Sequence, residues 1–249
     1  MQQVVGPPYR LECLGENIQA NGADTSTLCA SAPLNGALDR TRRIQMAQRP
    51  TKLIFLPGAG GSPEFWRPVS SLLNHASSRV LLGWPGFGTA PSDPKVGGIS
   101  DLVSLVEMEL DQPCALLAQS MGGIVAIQAV MKRPERITHL VLAATSGGID
   151  MADFEVADWR PDNIEVNPTF PDWFANYDKD LTPDLTRITI PKLLLWGDRD
   201  PISPIGVGMR LSELLRRSHL HLGPGGEHDF VNKFSPMVSP LIEAHLSAI

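Results

Sequence analysis

Short apolar runs alternate with longer amphipathic stretches from residue 52 onward. The apolar runs occupy residues 52–56, 80–82, 115–118, 139–143, 192–196 and 219–222. Runs of this length, bounded by Gly or Pro, are typical of strands buried on both faces of a sheet. The stretches between them predict helices over residues 64–75, 100–111, 122–132, 205–217 and 235–247. This repetition indicates an α/β fold with a parallel sheet and right-handed crossovers, in which reactive groups gather at the carboxyl ends of the strands.

Two parts of the chain depart from this alternation. Residues 15–38 are rich in Gly, Asn, Ala, Ser and Thr, which is typical of a loop, and short strands are predicted beside them at 9–14 and 42–47. Residues 146–189 show no clear strand and carry six of the fifteen aromatic residues. We therefore predict an N-terminal segment over residues 1–50 and one domain over residues 51–249, with a cap inserted at about 146–189.

Composition and charge narrow the class of protein. The chain has 249 residues, of which 43% are hydrophobic and 19% charged, so it can form one large core and resembles neither a disordered acidic chain nor a coiled coil. Its net charge of −6 comes without a basic block, so no nucleic-acid partner is expected. No window approaches the roughly 18 apolar residues of a membrane helix, and the start lacks a signal-peptide pattern. We expect neither a membrane partner nor export.

The cysteines indicate a reducing compartment. The three residues, Cys13, Cys29 and Cys114, are an odd number and lack metal-ligand spacing. We therefore expect a cytoplasmic protein without a metal site. Cys114 precedes an apolar run, which favours a small core residue over a reactive thiol.

The run AQSMGG at residues 118–123 lies between a predicted strand and a predicted helix. In such a sharp turn the middle side chain stands above the sheet in a strained conformation, and the residues two before and two after it must be small. Ala118 and Gly122 meet this need, although the usual pattern has Gly at the first place. Ser120 is the candidate nucleophile, and the unpaired N–H of Met121 is a candidate oxyanion donor. The alternative is that Ser120 only caps the helix.

From about residue 52 to the C-terminus, this turn and the motifs below make the chain similar to the α/β-hydrolase superfamily. Within this superfamily, the chain is similar to small bacterial carboxylesterases, including the pimeloyl-ester enzymes of biotin synthesis. The resemblance implies the α/β-hydrolase fold: a mostly parallel central sheet, helices on both faces and a short helical cap.

The resemblance also implies the partners of Ser120. The strand at 192–196 is followed by a Gly-x-x-Asp turn, where family members place the triad acid, so we choose Asp200, with Asp198 as the alternative. The Gly-rich loop after the last strand carries His228, which matches the base of the family. The order Ser, Asp, His along the chain is the one expected for this fold.

Two further motifs follow strands. The run LPGAGG at residues 56–61 matches the loop that supplies the second oxyanion donor, so Ala59 N–H is the candidate and Gly60 the alternative. The run GWPGFG at residues 83–88 resembles a structural turn of the family, in which Trp84 could wall the pocket or serve packing. Aromatic side chains favour an apolar acyl pocket, and the candidates are Trp84, Phe154, Trp159, Phe170, Trp173 and Phe174.

We therefore expect a serine hydrolase that cleaves carboxylic esters of small, largely apolar substrates without a cofactor. By resemblance, Ser120 argues against epoxide hydrolases and haloalkane dehalogenases, and Pro201 argues against hydroxynitrile lyases. A thioesterase, a carbon–carbon-bond hydrolase, a non-catalytic small-molecule binder, and a lyase or cofactor-free oxygenase remain as alternatives. The sequence leaves the natural substrate and the oligomeric state open.

The charge of the cap bears on the substrate. Residues 150–187 hold ten acidic and three basic residues, a net charge of −7. This charge disfavours docking of an acidic carrier protein or coenzyme A, so small neutral esters are expected to react better than acyl-CoA thioesters. The alternative is that these side chains form only the solvated outer face of the cap.

Overall fold

The computed structural model describes residues 49–161, 165 and 170–248. Within them lies a sheet of six strands: β1 (Lys52–Leu56), β2 (Ser78–Leu81), β3 (Cys114–Gln119), β4 (Ile137–Ala143), β5 (Lys192–Gly197) and β6 (Ser218–Gly223). The order across the sheet is β2-β1-β3-β4-β5-β6, and all five pairings are parallel. The strands predicted at 9–14 and 42–47 lie outside the described residues.

Helices follow the strands in the order that the alternating pattern predicts. They are α1 (Arg67–Leu72), α2 (Ile99–Met108), α3 (Met121–Lys132), α4 (Asp172–Ala175), α5 (Thr182–Leu185), α6 (Ile205–Leu214), α7 (Phe230–Lys233) and α8 (Ser235–Ser247). The helix predicted over 64–75 is divided into a 3₁₀ turn, Pro63–Trp66, and α1. Pro68, the second residue of α1, has no N–H to continue the preceding turn and is suited to a helix start. No helix in the described part of the chain is long and apolar enough to cross a membrane.

Side chains that alternate along the strands build one core on each face of the sheet. Ile54 and Leu56 of β1 belong to the core that includes α2, α3 and α6. Leu53 and Phe55, on the opposite face, belong to the core that includes α1, α7 and α8. This two-sided arrangement confirms the predicted α/β-hydrolase fold with helices on both faces.

Burial differs between the middle and the edges of the sheet. Every residue of β1, β3, β4 and β5 is buried, as expected for strands covered on both faces. The strands β2 and β6 are partly exposed. Each has a neighbour on one side only, so the expectation of full burial was wrong for these two strands.

The segment between β4 and β5, where the cap is predicted, contributes α4 and α5. Phe174, Leu181 and Leu185 from this segment are buried in the core that includes α3. The amide of Leu181 donates to Gly148 O at 2.7 Å, which ties the segment to the residues just beyond β4. These contacts hold the segment against the core on the α3 side of the sheet.

Candidate active site

Ser120 stands in the sharp turn between β3 and α3. Its φ of 51° and ψ of −123° are strained for a residue with a side chain, which agrees with the turn predicted from the sequence. Its amide donates to Ala143 O at 3.0 Å, and its carbonyl accepts from Gly123 N at 2.9 Å and from Thr145 Oγ1 at 2.6 Å. Three hydrogen bonds therefore hold this strained backbone.

The small residues around the turn are needed for close packing. A Cβ atom at residue 122 would lie 2.5 Å from Pro57 O and 2.6 Å from Leu56 O. Ala118 is fully buried in β3, so the methyl group that replaces the usual Gly is accommodated. The turn thus tolerates alanine before Ser120 but requires glycine after it.

His228 links Ser120 to Asp200. Its Nε2 lies 3.0 Å from Ser120 Oγ, and its Nδ1 lies 2.9 Å from Asp200 Oδ2. The side chain of Asp200 is fully buried, whereas that of His228 is 24% exposed. Because a carboxylate only accepts hydrogen bonds, Nδ1 carries the proton and Nε2 is left to accept from the serine hydroxyl.

The second oxygen of Asp200 is also held. Its Oδ1 accepts from Ile202 N at 2.8 Å and from Ser203 N at 2.9 Å. Asp198, the alternative acid, is exposed, and its Oδ1 instead accepts from Gly225 N at 2.6 Å. Of the two carboxylates that the sequence left open, Asp200 is the one that contacts the imidazole.

The three backbone amides predicted as candidate oxyanion donors, Met121, Ala59 and Gly60, lie beside Ser120 on the cavity wall. Met121 is the first residue of α3, where helical N–H groups lack intrahelical acceptors. Ala59 and Gly60 lie in the loop after β1 and line the same cavity as Ser120. Within the described residues, no protein acceptor takes a hydrogen bond from the amides of Met121, Ala59 or Gly60. A substrate oxygen can therefore receive these donors without displacing an existing partner.

A cavity of about 1040 Å³ opens beside Ser120. Ser120, Met121 and His228 lie on its wall together with Ala59 and Gly60. Apolar side chains from α3 and from the segment between β4 and β5 form part of the lining: Ile124, Ile149, Met151, Trp159, Phe174 and Tyr177. The lining also includes charged side chains. This volume suits a small organic substrate.

The aromatic residues predicted for the pocket divide into two groups. Trp159 and Phe174 line the cavity, whereas Phe154, Phe170 and Trp173 pack behind it. Trp84 is fully buried, and its Nε1 donates to Pro57 O at 2.8 Å. The structure therefore corrects the placement of Trp84 in the pocket wall, because its ring packs in the core and steadies the loop that carries Ala59.

Other residues of the site were not found from the sequence. Tyr177 lines the cavity and accepts from Gln128 Nε2 at 3.2 Å. Thr145 Oγ1 donates to Ser120 O, and Gln119 Nε2 donates to His228 O. The position of Gln119 beside Ser120 was a signal that could have suggested a role. Tyr177 is one of the six aromatic residues that the sequence placed in the predicted cap, although it was not chosen as a pocket residue. Thr145 carried no signal, because its contact depends on how separate segments pack.

Comparison with known proteins agrees with this geometry. The model of the Alpha/beta hydrolase family matches residues 53–185, which is more than half of the chain. The match includes the loop with Ala59, the turn with Ser120 and part of the cap, but ends before Asp200 and His228.

Two curated relatives illustrate the range of reactions. The 2-hydroxy-6-oxononadienedioate/2-hydroxy-6-oxononatrienedioate hydrolase of Paraburkholderia phymatum is 26% identical over 239 residues, 73% of this chain and 82% of that protein. The pimeloyl-acyl-carrier-protein methyl ester esterase of Aeromonas salmonicida is 33% identical over 98 residues, 38% of this chain and 37% of that protein. The chain is thus similar to both a carbon–carbon-bond hydrolase and an esterase.

Solved structures show the same fold at low identity. A bromoperoxidase from Bacillus anthracis superposes with a TM-score of 0.65 at 20% identity, over 79% of this chain and 92% of that one. A meta-cleavage product hydrolase from Pseudomonas fluorescens gives 0.65 at 16% identity, over 79% and 90%. A thermophilic esterase from Thermogutta terrifontis gives 0.62 at 18% identity, over 79% and 89%. At these identities the likeness concerns the fold alone.

Proposed function

This chain belongs to the alpha/beta hydrolase family, and on that premise we propose that it cleaves carboxylic esters of small, largely apolar substrates through an acyl-enzyme on Ser120. One observation carries the proposal: the continuous hydrogen-bonded series from Ser120 Oγ through the His228 imidazole to Asp200 Oδ2. Such a series is the arrangement that activates a serine hydroxyl for attack on a carbonyl carbon.

In the proposed acylation step, Ser120 Oγ attacks the ester carbonyl while His228 Nε2 takes the hydroxyl proton. Asp200 stabilises the resulting imidazolium and keeps its ring oriented. The tetrahedral intermediate then collapses, the bond to the leaving oxygen breaks, and the imidazolium gives its proton to the departing alcohol. Water repeats the sequence on the acyl-enzyme and releases the acid.

The negative charge on the tetrahedral oxygen needs preorganised donors. We assign this role to the amides of Met121 and Ala59, with Gly60 as the alternative to Ala59. One oxyanion donor in comparable enzymes contributes about 3 kcal/mol to transition-state stabilisation. The contribution is this large because fixed dipoles need not reorganise as the charge develops.

The cavity supports a preference for small neutral esters. Its apolar walls favour an uncharged acyl group. Six acidic side chains also line it, against four basic ones: Asp150, Asp158, Asp178, Asp180, Glu227 and Asp229, against Arg160, Lys179, Arg199 and Lys233. This small acidic excess opposes the approach of a polyanion such as coenzyme A. We therefore retain the expectation that neutral esters react better than acyl-CoA thioesters.

A second candidate is hydrolysis of a carbon–carbon bond with the same three side chains. The similarity to a 2-hydroxy-6-oxononadienedioate/2-hydroxy-6-oxononatrienedioate hydrolase over 73% of this chain favours it. In that reaction the leaving group is a carbanion equivalent that must be protonated on carbon. A diketone substrate therefore separates the two candidates directly.

Substitution of the nucleophile tests the proposal. We expect Ser120→Ala to lower kcat for p-nitrophenyl esters by about 10⁶-fold, because no acyl-enzyme can form, while the fold is retained. A fluorophosphonate probe should label the parent at Ser120 and leave the variant unlabelled. Ser104→Ala, an exposed position on α2, is the matched control and should keep the parental rate. Parental turnover by the Ser120 variant would remove the assignment, and an unlabelled parent would favour a non-catalytic binding protein.

A substrate panel tests the specificity. p-Nitrophenyl esters of graded chain length are to be compared with the matching acyl-CoAs and with a β-diketone. We expect the highest kcat/KM for the neutral esters. Faster turnover of acyl-CoA would indicate a thioesterase, and faster turnover of the diketone would indicate a carbon–carbon-bond hydrolase.

We further propose that the protein works in a reducing, cytoplasmic compartment. Support comes from the cysteine content, three residues without a disulfide pattern. Cys114 is buried, and burial raises the pKa of its thiol to about 11, so this sulfur stays protonated and unreactive at neutral pH.

A further inference from the structure

The loop that carries His228 has to cross most of the sheet to reach Ser120. It leaves β6 at one edge, whereas Ser120 follows β3, and β4 and β5 lie between them. At about 4.8 Å per strand, the distance to be crossed is roughly 14 Å. We call residues 224–229 the base loop. An error of about 1 Å in its position would separate the imidazole from the hydroxyl, so the loop needs anchors at its far end.

Gln119 is such an anchor. Its Nε2 donates to His228 O at 3.1 Å, and the residue is only 4% exposed. Because Gln119 is the neighbour of Ser120 in the chain, this hydrogen bond joins the base loop directly to the nucleophile turn. The same side chain lies against the loop after β1 that carries Ala59, since a Cβ atom at residue 58 would lie 2.4 Å from Gln119 Oε1. The carboxamide of Gln119 thus contacts two loops of the site, and the residue itself adjoins the nucleophile turn.

Asp198 holds the other end of the base loop. Its Oδ1 accepts from Gly225 N at 2.6 Å, and the backbone beside it adds a bond from Arg199 N to Gly226 O at 2.8 Å. Among the described residues, Gln119 and Asp198 are the two whose side chains hydrogen-bond to the backbone of the base loop. Asp198, which does not contact the imidazole, therefore contacts the backbone of the base loop.

We propose that Gln119 and Asp198 are positioning residues that fix the base loop from its two ends and so set the distance between His228 Nε2 and Ser120 Oγ. The proposal rests on the proposed serine hydrolase function. Neither side chain donates to or accepts from the imidazole itself. Their effect on the imidazole passes through the backbone of residues 225 and 228. Asp198 does not line the cavity, so its effect is expected in kcat and not in substrate binding, whereas Gln119 lies on the cavity wall as well.

The test compares four variants with the parent on one p-nitrophenyl ester. Gln119→Met keeps the length of the side chain but removes the donor, and Asp198→Ala removes the acceptor. Both should lower kcat by about 10- to 100-fold, and Asp198→Ala, which lies outside the cavity lining, should keep KM within about twofold. Asp198→Asn keeps an oxygen that accepts from Gly225 N, so it should retain at least half of the parental kcat. Gln112→Met, at the opposite end of β3, is the matched control and should keep the parental kcat.

A second readout does not depend on turnover. The Nδ1 proton that His228 shares with Asp200 is to be followed by proton NMR, and we expect its downfield signal to broaden or disappear in Gln119→Met and Asp198→Ala but to persist in Asp198→Asn. If the parent hydrolyses no ester, the proposed function fails while this signal still decides the positioning role. Parental kcat together with an unchanged signal in both damaging variants would overturn the inference. Melting temperatures identify a variant that does not fold. If Gln119→Met does not fold, the variants of the exposed Asp198 decide the test.

Discussion

At the scale of single residues, the turn at Ser120 depends on the space that its neighbours leave. The strained φ of Ser120 persists because Ala143, Gly123 and Thr145 all hydrogen-bond to its backbone. A side chain at residue 122 would push against the carbonyl groups at the end of β1, which cannot move without disturbing the sheet. The reactive geometry is therefore a product of backbone packing as much as of the serine itself.

Gly122→Ala tests this dependence. The added Cβ would lie 2.5 Å from Pro57 O, so we expect the free energy of unfolding to fall by about 1–3 kcal/mol and kcat to fall with it. The measurement is urea unfolding together with ester hydrolysis. Gly97→Ala is the control, because a Cβ at residue 97 has no atom within 4 Å. Equal free energies of unfolding for the two variants would show that the turn can accommodate a Cβ atom at residue 122.

At the scale of elements, α4 and its flanking residues bring the aromatic wall to the cavity. Phe174 lies at the centre, within ring contact of Phe87, Trp159, Phe170, Trp173 and Tyr177 at centroid distances of 5.4–6.4 Å. Ser120, Asp200 and His228 lie instead in the turns and loops that follow β3, β5 and β6. On the proposed function, the segment between β4 and β5 would therefore shape the substrate pocket, while the sheet supports the three polar side chains.

Phe174→Ala separates the two roles. Loss of the buried ring should lower the free energy of unfolding by about 3–5 kcal/mol. We expect KM for the longer apolar esters to rise by about tenfold, with kcat for p-nitrophenyl acetate within a few-fold of the parent. Steady-state kinetics across a series of chain lengths gives both values. Met209→Ala on α6, 55% exposed, should change neither stability nor KM. An equal loss of kcat for short and long esters would contradict this division of roles.

At the scale of the whole molecule, buried ionisable groups lie at the end of the sheet opposite the site. Lys192 begins β5 and is fully buried, with its Nζ donating to Ile188 O at 2.9 Å. Burial lowers the pKa of its ammonium from 10.5 to about 7, and the charge of Arg217 acts in the same direction. His245 of α8 is also buried, and its pKa falls to about 4 mainly because of burial. These groups make stability depend on pH away from the active site.

Lys192→Met tests that dependence. Between about pH 7 and 10.5 the unfolded chain keeps a proton that the folded protein has released, so the stability of the parent rises with pH in this window. Below pH 7 both states are protonated and the cost of burying the charge is complete. The variant lacks this gain. Its free energy of unfolding should therefore fall behind that of the parent by up to about 1.4 kcal/mol for each pH unit in this window. Urea unfolding across this range measures it. Lys95→Met, at an exposed site, is the matched control.

The sequence alone determined the order of the elements and the positions of the polar groups that follow them. Alternation of apolar and amphipathic stretches predicted the six described strands, and the helix over 235–247 was predicted at its observed bounds. The turn around Ser120 was readable because its chemistry is local: a strand, small residues and a helix start. For the same reason the Gly-rich loop of His228 and the turn of Asp200 could be located along the chain.

Tertiary structure decided what these local signals could not. The choice between Asp198 and Asp200 depends on which carboxylate faces the imidazole across two different loops. The burial of Trp84, the exposure of β2 and β6, and the contact of Gln119 with the base loop likewise depend on neighbours far away in the chain. Local periodicity reports which face of an element is apolar, but only packing of distant segments fixes what that face meets, because contact energies there depend on distances set by the whole fold.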